Sequence, residues 1–350
     1  MKKIIPLEEA VGMVLPHDIT EIRTTENLDT CDDKPFKGRA FKKGHIISRA
    51  DLPRLKSLGK DHIYALQLQP EDIHENEAAE QLAAALCGTG AAPSGEPVEG
   101  KINILAASDG LLKINTDALY RFNLLGEVMC ATLHNNTPVK KGELIAGTRL
   151  IPLVGKRALV DQAAEIAGQN NGVISVLPIK KASAGLVITG NEIFHGRIRD
   201  SFEPVLRRKL EDLGSEVKIV KFAPDDAEII AREITTCIAS GADLIITSGG
   251  MSVDPDDVTR QGIKQAGATN VVYGTPVLPG AMFLVGTIGS IPVMGLPACG
   301  MFNKITVFDL ILPRILAGEI INRHDIAALG HGGLCRQCET CRYPICGFGK

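Results

Sequence analysis

The 350-residue sequence is 45% hydrophobic, which is ample for buried cores, and its length suits two or three domains. A formal net charge of −3, 4% aromatic residues and no tryptophan give neither the basic field nor the stacking surface that binding to nucleic acid or an anionic membrane requires. No apolar run reaches the roughly 18 residues of a membrane span, and Pro6, Glu8 and Glu9 break up the opening stretch as a signal peptide, so a cytoplasmic location is expected.

Residues 1–87 are expected to form a small α+β module. "IIPL", "RAFKKGHIIS" and "HIYALQL" are β-like, "RADLPRLKSLG" has helical spacing and ends on Gly59, and "EDIHENEAAEQLAAALCG" reads as a helix. Residues 88–100, "GTGAAPSGEPVEG", are dominated by Gly, Pro and Ser and read as a linker. Residues 101–181 are expected as a second small, β-rich or barrel-like module. It alternates β-like runs such as "KINILAAS" and "ELIAGTRLIPL" with the helical candidates "TDALYRFNLL" and "ALVDQAAEIAGQ".

From residue 182 the pattern changes to alternating strand and helix. "AGLVITG", "EVKIVKFA", "ADLIITSGG", "NVVYGTPVL", "AMFLVG" and "IPVMGLP" read as strands. Helices are expected at 200–214, 225–241, 255–267 and 302–318. Continuous apolar strands, most of them followed by helices, predict an α/β domain at 182–320: a mostly parallel sheet in a three-layer αβα sandwich. In such sheets ligands bind outside the carboxyl ends of the strands. Three loops are expected there: "TGNEIFHGRIRDS", "TSGGMSVDPDD" and "GLPACG".

In "LIITSGGMSVDPDDVT", Gly249 and Gly250 permit positive φ and expose amide groups, and a helix N-terminus follows. Asp254 has an ordinary reading as helix cap with Pro255 at the first helical position, and Asp256 and Asp257 suit the first turn. One cap needs only one carboxylate, so the surplus also suits a bridging Mg²⁺ or a bond to a nitrogen heterocycle.

"LVITGNEI", "IRDS", "LIITSGGMSVDPDDVT", "PVLPGAM" and "VMGLP" follow the order and spacing of the molybdopterin-binding domain. That domain occurs in the molybdopterin molybdenumtransferases (the MoeA type) and the molybdopterin adenylyltransferases. The resemblance covers about residues 182–318, and "PLEEAVGMVLPHDIT" looks like the opening of the molybdenumtransferase chain. It implies molybdopterin as ligand, a place in molybdenum cofactor biosynthesis, and a homodimer. The implied pterin- or phosphate-binding residues are Thr189, Gly190, Glu192, Asp200, Ser201, Ser248, Gly249, Gly250, Ser252, Thr259, Pro279, Gly280, Gly295, Leu296 and Pro297. Asp257, with Asp256 beside it, is the implied catalytic and Mg²⁺-holding group.

The sequence also departs from the family. "PVLPGAMF" has none of the usual lysines, "GLPACG" lacks the usual Asn and second Pro, and Phe202 replaces an Asn. The family's Asp-Gly-Tyr-Ala motif is not found. Two functions stay open: Mg²⁺-assisted molybdate insertion, and a non-catalytic carrier that delivers the cofactor to a molybdoenzyme. His195, Arg197 and Arg199 lie in the first loop, where the arginines read equally as phosphate ligands or as solvated charges.

Nine cysteines are present. Cys31, Cys87, Cys130, Cys237 and Cys299 are scattered singly and read as small apolar residues or isolated thiols. Cys335, Cys338, Cys341 and Cys346 form C-x₂-C-x₂-C-x₄-C, a spacing that suits Zn²⁺ or an iron–sulfur cluster, with His331 as an alternative ligand. Four free thiols in an unordered stretch is the competing reading.

Overall fold

The computed structural model describes residues 3–23, 36–252 and 258–350. They gather into two compact units. The first comprises the described residues up to Ser108 with Ile114–Leu133 and Lys140–Val176; the second comprises Asp109–Lys113, His134–Val139 and Leu177–Lys350. Among the described residues, no helix is long and apolar enough to cross a membrane.

In the first unit, Lys3–Pro6 pairs antiparallel with His62–Ala65, and Ile19–Arg23 pairs with Phe36–Phe41. A four-stranded antiparallel sheet runs Ala91–Pro93, Lys101–Ala106, Leu144–Leu150, Val128–Thr132. Its first strand lies inside the expected linker. Three small residues at a sheet edge need little side-chain burial, and an edge tolerates Pro93. The helix expected from residue 71 begins instead at Glu75, because Asp72–His74 pairs with Val154–Lys156 and the His74 ring accepts the Asn76 amide as a cap.

The second unit carries the six-stranded sheet. Its strands are β1 (Ser183–Thr189), β2 (Glu216–Ala223), β3 (Leu244–Ser248), β4 (Ala268–Tyr273), β5 (Leu284–Ile288) and β6 (Ile291–Leu296), in spatial order β2-β1-β3-β6-β5-β4. The first four in that order are parallel; β5 and β4 are antiparallel to their neighbours. The mostly parallel α/β expectation therefore holds, with an antiparallel margin. Helices α1 (Phe202–Glu211), α2 (Ala227–Ala239), α3 (Thr259–Gln265), α4 (Val307–Leu316) and α5 (Arg323–Ala328) complete the unit.

Alternation along the buried strands sends side chains to opposite faces. Leu186, Ile188, Leu244 and Ile246 meet Phe202, Leu206 and Ile311 of α1 and α4. Val187 and Ile245 meet Ile230, Ile234 and Ile263 of α2 and α3 on the other face. These two cores make the three layers. Helix α4 starts at Val307, five residues later than the sequence pattern suggests. Thr306 and Asp309 form a capping box there, and Cys299–Phe302 makes a separate short turn.

A buried charge network braces the end of α4. Arg314, 8% exposed, donates to Glu319 at 2.8 Å and to Asp325 at 2.7 Å. Lys113, on a strand paired with Pro138–Val139, donates to Glu319 and Asn136, each at 2.7 Å. The cysteine-rich stretch packs on the same unit, with its four thiols free. Phe348 is buried, Tyr343 packs against the α4 core, and Leu278 and Leu334 form a parallel bridge.

Candidate functional site

The chain runs from β1 to β2 on one side and places β3 on the other, so the sheet has its topological switch between β1 and β3. A crevice outside the carboxyl ends of those strands follows from the opposed directions of their connections. Thr189 ends β1 and Ser248 ends β3, and both are fully or nearly fully buried.

The strand ends are tied together. The Thr189 hydroxyl donates to the Ser248 carbonyl at 2.9 Å, and the hydroxyls of Thr189 and Thr259 are 2.9 Å apart. The Gly249 amide donates to the Leu296 carbonyl, at the end of β6, at 3.2 Å. Thr189, Ser248, Gly249, Thr259 and Leu296, all expected at the site from sequence, thus form one cluster.

Glycine is required at the turn itself. Gly249 and Gly250 have φ of +88° and +55°, and a Cβ at Gly249 would lie 2.6 Å from the Thr189 carbonyl oxygen. The next residue, Met251, is buried and packs where a side chain on Gly295 would stand, with its Cε 2.6 Å from that Cβ position. Gly295 therefore acts by admitting Met251 as well as by its place at the strand end.

Two residues not singled out in the sequence hold this loop. The Tyr273 hydroxyl donates to the Met251 carbonyl at 2.7 Å. Arg260 stacks over the Tyr273 ring at 4.3 Å and donates to the Ser252 carbonyl at 3.4 Å. An arginine directly after the Thr259 of the motif was the available signal. Ser248 Oγ and Arg260 Nε are buried and have no hydrogen-bond partner among the described residues. Buried polar atoms without partners are costly and mark places where a polar ligand would supply the missing bonds. The cluster therefore fits an anionic group held by amides, a hydroxyl and a guanidinium.

Other expected residues are placed differently. Asp200 caps α1: its two carboxylate oxygens accept the amides of Phe202 and Glu203, each at 2.9 Å. That commitment leaves it structural work, with Ser201 between it and the helix. Gly190 has φ of +137° and lies under the exposed Glu192 carboxylate. His195, Arg197 and Arg199 are exposed, and His195 Nδ1 is 2.8 Å from the Asn191 carbonyl. Pro279 and Gly280 pack on Val307, whose amide donates to the Pro279 carbonyl at 3.3 Å. In "GLPACG", Cys299 is half-buried and burial raises its thiol pKa, so it is not a thiolate at neutral pH. Asp254, Asp256 and Asp257 lie outside the described residues.

A family model described as "Probable molybdopterin binding domain" matches residues 185–317. Residues 185–317 of the second unit are therefore similar to the molybdopterin-binding domain. A further model, described as "Domain of unknown function (DUF8806)", matches residues 4–67. The chain is 26% identical over 185 residues to the molybdopterin molybdenumtransferase of Synechococcus elongatus, a match covering 50% of this chain and 43% of that protein. It is 37% identical over 78 residues to a CinA-like protein of Mycobacterium sp. (strain MCS), covering 22% of this chain and 18% of that one. These matches span less than half the length of those curated relatives. Among solved structures, a molybdopterin biosynthesis MoeA protein from Pyrococcus horikosii is 15% identical. That match covers 91% of this chain and 76% of the other, with a TM-score of 0.33. The MoaB protein of Thermus thermophilus is 20% identical, covering 39% of this chain and 98% of the other, with a TM-score of 0.34.

Proposed function

We propose that the second unit binds molybdopterin, or an adenylylated or metallated derivative, as a step in molybdenum cofactor biosynthesis. The observation that carries this reading is the cluster of Thr189, Ser248, Gly249 and Thr259 at the topological switch, where buried Ser248 Oγ and Arg260 Nε have no partner among the described residues. The Gly250 amide, Ser248, Ser252 and Arg260 take the phosphate end, with Gly249 making the turn that presents them. Pro279, Gly280, Gly295, Leu296 and Pro297 wall the pterin, with Thr189, Gly190 and Glu192 on the β1 side. Arg260 supplies a cation that the lysine-free "PVLPGAMF" loop does not.

Asp256 and Asp257 are the proposed Mg²⁺ ligands. When bound, the ion would neutralise charge on a phosphoanhydride during molybdate insertion. The second reading is a homodimeric carrier that hands the cofactor to a molybdoenzyme. The lysine-free "PVLPGAMF" loop and the missing Asn of "GLPACG" favour it, because they remove donors that an adenylylated ligand would use. Zinc or an iron–sulfur cluster at Cys335, Cys338, Cys341 and Cys346 belongs to either reading.

The test is to incubate the protein with adenylylated molybdopterin, Mg²⁺ and molybdate. AMP release that Asp257→Ala abolishes supports the transferase, tight binding without release supports the carrier, and absence of binding removes the pterin reading.

A further inference from the structure

The four clustered cysteines line a single cavity of about 530 Å³. Cys335 and Cys346 are half-buried against the α4 core, and Cys338 and Cys341 are exposed. Both flanks are anchored. The Gly349 amide donates to the Gly332 carbonyl at 2.9 Å, and the Tyr343 hydroxyl donates to the Asp309 carbonyl at 3.4 Å. Only the short turn between Cys335 and Cys346 is left to adjust, so the entropy cost of bringing four thiols together is small.

Local geometry already orients the first cysteine of the set. Gln337 has φ of +53°, which turns its amide onto Cys335 Sγ at 3.5 Å. Four thiolates around a divalent ion leave a net negative charge, as does a four-thiolate iron–sulfur cluster. Arg336, Arg342 and Lys304 line the same cavity and offset it. Among the described residues, no group of three or more His, Cys, Asp or Glu side chains is already arranged to hold a metal. Coordination therefore requires Cys338 and Cys341 to close onto Cys335 and Cys346, each ligating thiol releasing its proton to solvent.

That closure would act on a second place. The Leu278 amide donates to the Gly333 carbonyl and the Cys335 amide donates to the Leu278 carbonyl, both at 2.8 Å. Leu278 directly precedes Pro279 and Gly280. We propose that Cys335, Cys338, Cys341 and Cys346 form a four-thiolate metal centre that latches the Leu278–Gly280 loop through these paired hydrogen bonds. The inference rests on the metal part of the function proposed above and is independent of its pterin part.

The experiment uses the full chain purified anaerobically, with metal and sulfide analysis and amide hydrogen exchange of residues 276–282. Zinc at about one per chain identifies a mononuclear site, and iron with sulfide and visible sulfur-to-iron absorbance identifies a cluster; either supports the centre. Cys338→Ser and Cys341→Ser, chosen because both side chains are exposed, are expected to lose at least about nine-tenths of the metal. Exchange at Leu278 is expected to quicken about tenfold or more in both variants and in chelator-stripped protein. A metal-free protein would overturn the metal reading itself. A metallated protein whose 276–282 exchange is unchanged by stripping would overturn the latch alone. Stripping the unmutated chain keeps the test valid if a serine variant fails to fold.

Discussion

The hydroxyls of Thr189 and Thr259 lie 2.9 Å apart, and the Thr189 proton is already given to the Ser248 carbonyl. Thr259 must therefore be the donor in that pair, which fixes the direction of a short hydrogen-bond chain through the loop that carries the double glycine. Thr189→Val would strand the Thr259 hydroxyl and the Ser248 carbonyl together. A loss of about 1–3 kcal/mol in folding stability is expected, read from denaturant midpoints. Thr189→Ser should recover most of it, and a Ser variant as unstable as the Val one would show that the methyl group matters instead.

Gly249→Ala combines a left-handed backbone with a collision against the Thr189 carbonyl, whereas Gly289, with φ of +60°, has nothing within 4 Å of its Cβ position. Both substitutions should cost about 1–2 kcal/mol for the backbone conformation. Only Gly249→Ala should also weaken molybdopterin binding, by tenfold or more, as measured by calorimetry. Equal affinities in the two variants would move the ligand away from this turn.

Arg260→Gln should lower affinity for the phosphorylated ligand by about tenfold or more, in line with the roughly 1.5–3 kcal/mol of a charge-assisted hydrogen bond. Arg260→Lys should recover little, since an ammonium cannot both stack flat on Tyr273 and keep the Ser252 contact. Retention of full affinity by Arg260→Gln would assign this arginine to loop support alone.

Acid should weaken the α4–α5 junction. Burial by itself would raise the Asp325 pKa, but the Asn322 amide and the Arg314 guanidinium outweigh it and hold the carboxyl below its ordinary value. A depressed folded pKa means the stabilisation is complete above the unfolded value and is lost as pH falls through the folded one. Melting temperatures should therefore drop from about pH 4 downward. Asp325→Asn should be less stable at neutral pH and show a shallower acid limb; an unchanged limb would assign the acid sensitivity elsewhere.

The sheet was legible because its central strands are uninterrupted apolar runs with glycine-bounded ends. The residues that meet at the switch, Thr189, Ser248 and Leu296, were named through the resemblance, and each ends a strand; Gly249, just past β3, was legible as a glycine turn. Tyr273 and Arg260 were not, because their roles come from the way the end of β4 and the start of α3 meet the loop after β3, which no local pattern announces. Asp200 was named through the resemblance, and its bonds to the Phe202 and Glu203 amides were not foreseen, because a carboxylate ahead of a helix looks alike whether or not it caps. The strand Ala91–Pro93 was hidden by composition, since alanine, glycine and proline carry almost no periodic signal. The start of α4 was in plain sight in Thr306 and Asp309, but the apolar stretch upstream drew the helix too far back.

Met251 and Gly295 trade volume across two strands, and this makes the two positions answer for each other. A methyl group added at 295 takes the space in which the Met251 thioether rests. Gly295→Ala alone should therefore behave as a lesion of the ligand loop. Shortening position 251 in the same chain should restore part of what was lost, although neither side chain needs to touch the ligand. Drift in the loop after β3 is thus tied to a residue on the neighbouring strand β6, and a relative that changes one position should be found to have changed the other.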